Sequence, residues 1–231
     1  MLVHDVMQSR VVTVTPKTDA REALRLLRTR GIRHLVVVDG AAVVGIVSDR
    51  DVKQIAVQPE RFNEWIVDDV MSGAVITVDP STPVEEAARL MLREKISALP
   101  VTEEGKLVGI VTETDVMGLF VRALGAGVPS SRLDVVVGTN PAGLADIVAT
   151  VQASGAPVSS IVTLPARDGV TEAVIRVATI DPRAAIAALV AKGHRVKTVT
   201  RGTEGDVRIS PMPPMRTEPR DLPDASAGAR S

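Results

Sequence analysis

A pattern of apolar and polar positions occurs twice in the first half of the chain. In each copy a short apolar strand ends at a proline, Pro16 or Pro80, and apolar residues then recur three and four positions apart, which is typical of an amphipathic helix. Two apolar strands follow, at 35–38 and 43–47 in the first copy, and a last helix begins after them. Each copy is therefore predicted to fold as strand, helix, strand, strand, helix.

The two copies form an internal repeat with an offset of 64 residues. Residues 3–52 align with residues 67–116 without a gap, and 22 of the 50 aligned positions are identical. We place the first repeat at residues 1–60 and the second at residues 61–124. Because the short sheet of one repeat needs a partner to cover it, the two copies are predicted to pack as one module.

The pattern changes after Leu124. Residues 125–131 contain Gly, Pro and Ser and are predicted to be a linker. Residues 132–201 predict the order βαββαβ, a ferredoxin-like unit, and residues 202–231, rich in Pro, Gly, Ser and charge, are predicted to be a flexible tail. The expected fold class is α+β (α/β), with a tandem repeat that forms one module and a ferredoxin-like unit after it.

Composition argues against several classes of function. The net charge is -1, so we expect no binding to nucleic acid and none to a membrane surface. The chain has no cysteine, which excludes disulfides and thiolate metal sites. No apolar run approaches the roughly 18 residues of a membrane span, and the first residues lack the apolar stretch of a signal peptide. We therefore expect a cytoplasmic protein.

A seven-residue phrase, GIVSDRD in the first copy and GIVTETD in the second, contains the candidate chemistry. Ser48 and Thr112 stand where a strand becomes a helix, and Asp51 and Asp115 follow three residues later. One interpretation is a capping box, in which each aspartate accepts a hydrogen bond from the backbone at the start of the helix. The other is a ligand clamp, because a helix N-terminus favours a phosphate and a nearby carboxylate can hold sugar hydroxyls. The spacing leaves both interpretations open.

Other local signals concern helix starts and close backbone contacts. Thr18 and Thr82 are predicted to be the N-caps of the first helix in each copy. Gly45 and Gly109 are predicted to permit a close backbone approach or a β-bulge.

The repeated unit resembles a CBS domain pair, also called a Bateman module. The resemblance rests on DVM at the start of each copy, ISALPV at 96–101 and the two phrases above, and covers about residues 1–124. It implies clefts between the repeats that bind an adenine nucleotide or adenosine derivative, AMP, ADP, ATP or S-adenosylmethionine-like, as a regulatory ligand, with no required cofactor. In the family pattern the aspartate holds the ribose and the hydroxyl lies near the phosphate, which implicates Asp51, Ser48, Asp115 and Thr112.

The resemblance also implicates the segment before LPV. Ile96 and Ser97, followed by Pro100, are expected to line a base pocket. The first copy departs from the pattern, since Val36 stands where the second copy has Pro100.

The first repeat is more basic than the second. Five of its basic residues align with uncharged residues of the second repeat, namely Arg10, Arg33, His34, Arg50 and Lys53. We expect them to lie together around Asp51 and to make that cleft selective for a phosphorylated nucleotide. The cleft at Asp115 is then expected to hold a less charged adenosine derivative or to stay empty. Scattered variation at the surface is the alternative explanation.

The ferredoxin-like unit resembles an ACT domain, on the residues NPAGLADI at 140–147. The resemblance implies a site for an amino acid or small metabolite at the first strand-to-helix turn, with Asn140, Gly143 and Leu144 facing this effector. Asn140 stands where the common pattern has Asp, and Ala142 is inserted. The alternative is that Gly143 only permits a tight turn and that the unit is a dimerisation platform.

No catalytic constellation is recognisable. The histidines, His4, His34 and His194, lack metal-ligand spacing, and the chain has no nucleophile elbow and no phosphate-binding Walker loop. We therefore expect a regulatory ligand sensor that is not an enzyme. The order of the units resembles the acetoin-utilisation protein AcuB family.

We expect the sensor to be a homodimer and to modulate a regulated protein. Apolar helix positions Val116, Leu119 and Phe120 are expected to be exposed and to take part in the dimer interface. Two other interpretations stay open, a dimeric interaction scaffold with no bound ligand and an enzyme with undetected chemistry.

Overall fold

The computed structural model describes residues 1–56, 64–125, 129–138, 142–165 and 170–202. Within these residues the first repeat has, after a short 3-10 helix (Val3–Asp5), the elements β1 (Thr13–Val14), α1 (Ala20–Arg30), β2 (His34–Asp39), β3 (Ala42–Ser48) and α2 (Asp49–Ala56). The second repeat has the corresponding elements α3 (Val84–Glu94), β4 (Ala98–Glu103), β5 (Lys106–Thr112) and α4 (Glu113–Ala123). The predicted order of elements is confirmed, except that the first strand of the second repeat is reduced to a parallel bridge from Val78 to Val101.

The N-terminal segments of the two repeats are exchanged. Val3 and Val6, at the start of the first repeat, are buried in the hydrophobic core of the second. Val67, at the corresponding position of the second repeat, is buried in the core of the first. Short antiparallel bridges continue the exchange, from Gln8 to β5 and from Ser72 to β3. Each repeat thus completes the other, as expected for a single module.

A separate apolar layer joins the two small sheets. Val36 of β2, Ala98 of β4 and Ile110 of β5 are its buried members. Half-buried aliphatic side chains from both repeats pack around them, including Val11 and Ile46. Ile46 and Ala98 of this layer line one cleft of the module, and Val11 and Ile110 line another.

Gly45 and Gly109 are confirmed as positions of close approach. A Cβ atom on Gly109 would lie 2.5 Å from Sδ of Met7, and one on Gly45 would overlap Sδ of Met71 and lie 3.1 Å from its Cγ. A register shift occurs beside each glycine in the β2–β3 and β4–β5 pairs. The absent side chain therefore lets the exchanged segment pack directly on the strand.

The prediction that Thr18 and Thr82 are helix N-caps is wrong. Each hydroxyl instead accepts a hydrogen bond from the backbone N–H three residues earlier, in the turn before the helix. The N-caps are Asp19, whose carboxylate accepts a hydrogen bond from the backbone, and Pro83. Short hydroxyl side chains make such local turn contacts readily, and the helix then starts one or two residues later.

The C-terminal unit has the predicted order βαββαβ. Its elements are β6 (Ser130–Gly138), α5 (Ala142–Ala153), β7 (Val158–Pro165), β8 (Thr171–Val177), α6 (Arg183–Ala191) and β9 (Val196–Gly202). The strands form one antiparallel sheet in the order β7-β8-β6-β9, which is the ferredoxin-like arrangement. Both helices pack on one face, against a core that contains Leu133, Ile147, Ile175 and Leu189. β6 begins at Ser130, inside the predicted linker, and residues 203–231 of the predicted tail lie outside the described residues.

The expectation of exposed apolar residues on α4 is partly wrong. Val116 and Leu119 pack half-buried against the core of the second repeat. Phe120 is exposed, together with Met117 and Val121. Within the described parts of the chain, no helix has both the length and the apolar character needed to cross a membrane.

Candidate functional site

Two clefts lie between the repeats, and each combines side chains from both. The first cleft has a volume of about 480 Å³; Asp51 and Ser48 of the first repeat line it together with Ile96, Ser97 and Pro100 of the second. The second cleft has a volume of about 380 Å³ and is lined by Thr112 and Asp115 of the second repeat, and by Gln8, Arg10, Val11, Val12, Ile32, Arg33 and His34 of the first. The helix start of one repeat therefore faces the strand segment of the other.

The predicted capping box is present at both helix starts. Oδ2 of Asp51 accepts hydrogen bonds from the N–H of Ser48 at 2.8 Å and from its Oγ–H at 2.6 Å. Asp115 makes the same two contacts with Thr112, at 2.8 Å and 2.6 Å. Each aspartate thus has one oxygen fixed by its own helix, and the other oxygen decides what else the carboxylate can bind.

The second carboxylate oxygen differs between the two clefts. Oδ1 of Asp115 accepts a hydrogen bond from Nε2 of Gln8, at 3.0 Å. Oδ1 of Asp51 has no hydrogen-bond donor among the described residues. A sugar hydroxyl can therefore bind to Asp51 directly, whereas at Asp115 it competes with an amide.

The apolar lining of the first cleft is aliphatic. Pro100 is buried, Ile96 is half-buried, and Ile46, Val75 and Ile76 complete the apolar wall. The described residues that line the two clefts include no Phe, Tyr or Trp. A flat base bound here would lie between branched aliphatic groups.

Arg33 and His34 form a wall that belongs to both clefts. Nη2 of Arg33 donates a hydrogen bond to Oγ1 of Thr114 in the second repeat, at 2.9 Å. Nε2 of His34 lies 3.0 Å from Oγ of Ser97, also across the repeat boundary. Burial, and secondly the positive charge of Arg33, lower the pKa of His34. The imidazole is therefore neutral at neutral pH.

The expectation that five basic residues surround Asp51 is confirmed for Arg33, His34 and Arg50, which line the first cleft with it, and is wrong for the other two. Arg50 lines the first cleft, but Arg10 lines the second, and Lys53 is paired with Asp49 at 2.6 Å on α2. Arg10 is displaced because the N-terminal segment of the first repeat crosses to the second repeat. The prediction of a weakly charged second cleft therefore loses its basis, since Arg10 and Arg33 both line it.

Several cleft residues were not predicted from the sequence. Gln8, Ser72, Ile46 and Thr114 line the clefts. Ile46 and Thr114 lie inside the repeated seven-residue phrase, but its spacing pointed only to the hydroxyl and the aspartate. The repeat could have indicated two of them, because Gln8 and Ser72 occupy equivalent positions directly after DVM.

The predicted effector residues of the C-terminal unit are only partly described. Asn140 lies outside the described residues. A Cβ atom on Gly143 would lie 2.7 Å from the carbonyl oxygen of Val137, so the glycine permits the start of α5 to approach the end of β6 closely. Leu144 is half-buried against the core of the unit. These placements explain both residues by packing, and their role in effector binding stays a prediction.

The described residues contain no group of three or more His, Asp or Glu side chains placed to bind a metal ion.

Comparison with known proteins identifies the repeated part. Residues 3–57 and 67–122 match the CBS domain family. The CBS domain-containing protein YhcV of Bacillus subtilis is 31% identical over 113 residues, which are 49% of this chain and 81% of that protein. The chain therefore belongs to the CBS domain family. Longer curated relatives, some of them enzymes, match as well; the matched part spans 21% and 43% of the length of two of these longer relatives.

Solved structures similar to the first half of the chain include the following two. A Vibrio cholerae protein described as an acetoin utilization protein (AcuB) is 30% identical, with a TM-score of 0.50, over 54% of this chain and 93% of that one. The CBS domain pair of protein MJ0100, solved with 5′-methylthioadenosine and S-adenosyl-L-methionine, is 31% identical, with a TM-score of 0.48, over 52% and 95% of the two chains. The resemblance of the C-terminal unit to an ACT domain stays a prediction.

Proposed function

We propose that the protein is a regulatory sensor that binds an adenine nucleotide or adenosine derivative in the two clefts of its CBS pair and has no catalytic activity of its own. The observation that carries this proposal is the composition of each cleft. A helix start with a hydroxyl and a carboxylate from one repeat faces an aliphatic strand segment of the other repeat. These are the groups that a phosphate, a ribose and an adenine require.

The first cleft illustrates the proposed binding mode. At the start of α2, Ser48 lines the cleft and Arg50 provides positive charge for a phosphate. Asp51 offers its unoccupied Oδ1 to the ribose hydroxyls, and the adenine lies against Ile96 and Pro100. The volumes of about 480 and 380 Å³ are within the range of roughly 300–1,000 Å³ common for small-molecule sites.

The capping boxes support binding as well as helix stability. Two hydrogen bonds to Oδ2 fix the orientation of each carboxylate before any ligand arrives. A group that is already ordered loses less conformational entropy on binding. Capping and ligand binding are therefore compatible roles for the same aspartate.

Substitution of the two aspartates tests the proposal. Asp51→Ala and Asp115→Ala should each weaken AMP or ATP binding at one cleft only, by about 10- to 150-fold, because a hydrogen bond with a charged partner contributes about 1.5–3 kcal/mol. The matched control is Asp19→Ala, which removes the N-cap of α1 at a distance from both clefts. Isothermal calorimetry measures the affinities.

The outcomes separate the two interpretations of the repeated phrase. If all three variants lose about 1 kcal/mol of stability and bind AMP and ATP like the parent, the two aspartates are only helix caps. A thermal-shift screen with AMP, ADP, ATP and S-adenosylmethionine comes first, since a ligand at 100 times its Kd stabilises by about 2.7 kcal/mol. No shift with any of them supports the interaction scaffold instead.

Assembly and the second effector are further parts of the proposal. Met117, Phe120 and Val121 expose apolar surface on α4, which favours burial against a second copy of the chain. Light scattering that shows a monomer at micromolar concentration contradicts the homodimer. An amino acid or small metabolite bound near the start of α5 should raise the unfolding temperature, and Asn140→Ala should abolish that shift. The ligand state would then be passed to a regulated protein.

A further inference from the structure

A single arginine lies between the two helix starts of the module. The carbonyl of Arg33 accepts a hydrogen bond from the N–H of Asp49, the first residue of α2, at 2.9 Å. The guanidinium of Arg33 donates to Oγ1 of Thr114, the second residue of α4, at 2.9 Å. Arg33 lines both clefts. The backbone of Arg33 thus contacts one helix start, and its guanidinium contacts the other.

The contact that holds the guanidinium is easily replaced. Thr114 offers an uncharged hydroxyl, and Arg33 forms no ion pair with any described residue. Both side chains are exposed, so little packing holds them together. A phosphate forms two parallel charge-assisted hydrogen bonds with arginine, each about twice as strong as a neutral one. Phosphate in either cleft would therefore take the guanidinium from Thr114.

We propose that Arg33 is shared by the two clefts and makes them compete for phosphorylated ligands. This inference rests on the proposed nucleotide binding. A phosphate in one cleft takes the guanidinium away from the other, so a second phosphorylated ligand binds more weakly than the first. An uncharged nucleoside does not engage Arg33, and two such ligands bind independently.

Each cleft also has positive charge of its own. Arg50 and Lys95 line only the first cleft, and Arg10 lines only the second. Asp49, beside Arg50, is paired with Lys53 at 2.6 Å. Both clefts therefore bind a phosphate without Arg33, and the shared arginine determines how occupancy of one affects the other. The protein would then respond to the ratio of charged to uncharged adenosine compounds.

AMP and adenosine are the matched probes, because they differ only in the phosphate. Isothermal calorimetry on the full chain gives two dissociation constants for each. In the parent, the ratio of the second to the first constant should be about tenfold or more larger for AMP than for adenosine, the size of one charge-assisted hydrogen bond. In Arg33→Ala the ratio for AMP should fall by about tenfold or more, while the ratio for adenosine stays the same. Thr114→Val, which removes the hydroxyl and keeps the arginine, should retain the parent's difference.

The results that overturn the inference are distinct from those that overturn nucleotide binding. Equal ratios for AMP and adenosine in the parent, an unchanged AMP ratio in Arg33→Ala, or loss of the difference in Thr114→Val each contradict a shared arginine. If the parent binds one AMP but two adenosines per chain, the inference is supported, because one bound AMP then prevents a second AMP from binding. One AMP and one adenosine per chain contradicts it, since only one cleft is then a site. No binding of either probe contradicts the proposed function itself.

Discussion

Replacing Gly45 by alanine should destabilise the module and weaken only the first cleft. The new Cβ would overlap Sδ of Met71 and lie 3.1 Å from Cγ and 3.3 Å from Cβ of the same side chain. Ordinary carbon contacts are about 3.5–4.0 Å, so Met71 must move. Its neighbour Ser72 exchanges two backbone hydrogen bonds with Ile46, at 2.9 and 3.1 Å, and lines the first cleft. The displacement therefore reaches the candidate site.

The expected loss of stability in Gly45→Ala is the difference between two opposing effects. Overpacking of a well-filled site costs about 1–3 kcal/mol. Alanine also restricts the unfolded chain relative to glycine, which contributes about 0.4–1 kcal/mol in the opposite direction. The φ of Gly45 is not positive, so the backbone itself accepts alanine. We expect a net loss of about 1–2 kcal/mol, measured by urea unfolding.

A double-mutant cycle identifies the cause. In a Met71→Ala background the Gly45→Ala change should cost little, because the overlapping atoms are gone. Gly109→Ala, with Met7 as its partner, provides the reciprocal control and should affect AMP binding in the second cleft only. A Gly45→Ala variant as stable as the parent, or one whose cost persists without the Met71 side chain, would refute the reasoning.

Two further changes test other features. His34→Gln should flatten the pH dependence of stability, because burial lowers the pKa of His34 in the folded state. The parent therefore has its full stability above about pH 6.5 and loses part of it as the pH falls further. Equal losses of stability between pH 8 and pH 5 for parent and variant, measured by urea titration, would contradict this. Glu104→Gly should raise the free energy of unfolding by up to about 1 kcal/mol, because Glu104 has a left-handed φ of 49° where the first repeat has Gly40 at 60°. A lower urea midpoint than that of the parent would contradict this.

The repeated elements could be predicted from the sequence because their signals are local. Strand periodicity and the spacing of Ser48 and Asp51 both act within a few residues, and the structure has each of them. The placement of Arg10 could not be predicted in this way. Aligning the repeats shows which residues are equivalent, whereas the clefts depend on which residues are neighbours across the repeat boundary.

The contacts of long side chains are a second feature that could not be predicted from the sequence. Arg33 contacts Thr114, 81 positions away, through a flexible side chain whose direction is set by the packing of two repeats. The helix starts near Thr18 and Thr82 were misplaced for a related reason. Hydroxyl side chains satisfy turns and helix ends equally well, and only the backbone geometry decides between them.

The exchange of N-terminal segments has a consequence for how such a chain could arise and be divided. A polypeptide carrying one repeat alone would have Val3 and Val6 with no core of its own to enter, because their pocket is built by the other copy. The nearest available pocket would be that of a second identical chain. The valine of that second chain, equivalent to Val67 here, would enter the core of the first chain in return. The two repeats of the CBS pair therefore pack like the two subunits of a dimer, although they belong to one polypeptide. Gene duplication followed by fusion is enough to explain such a chain. Cutting the chain between the repeats should leave two fragments that hold together rather than two separate domains.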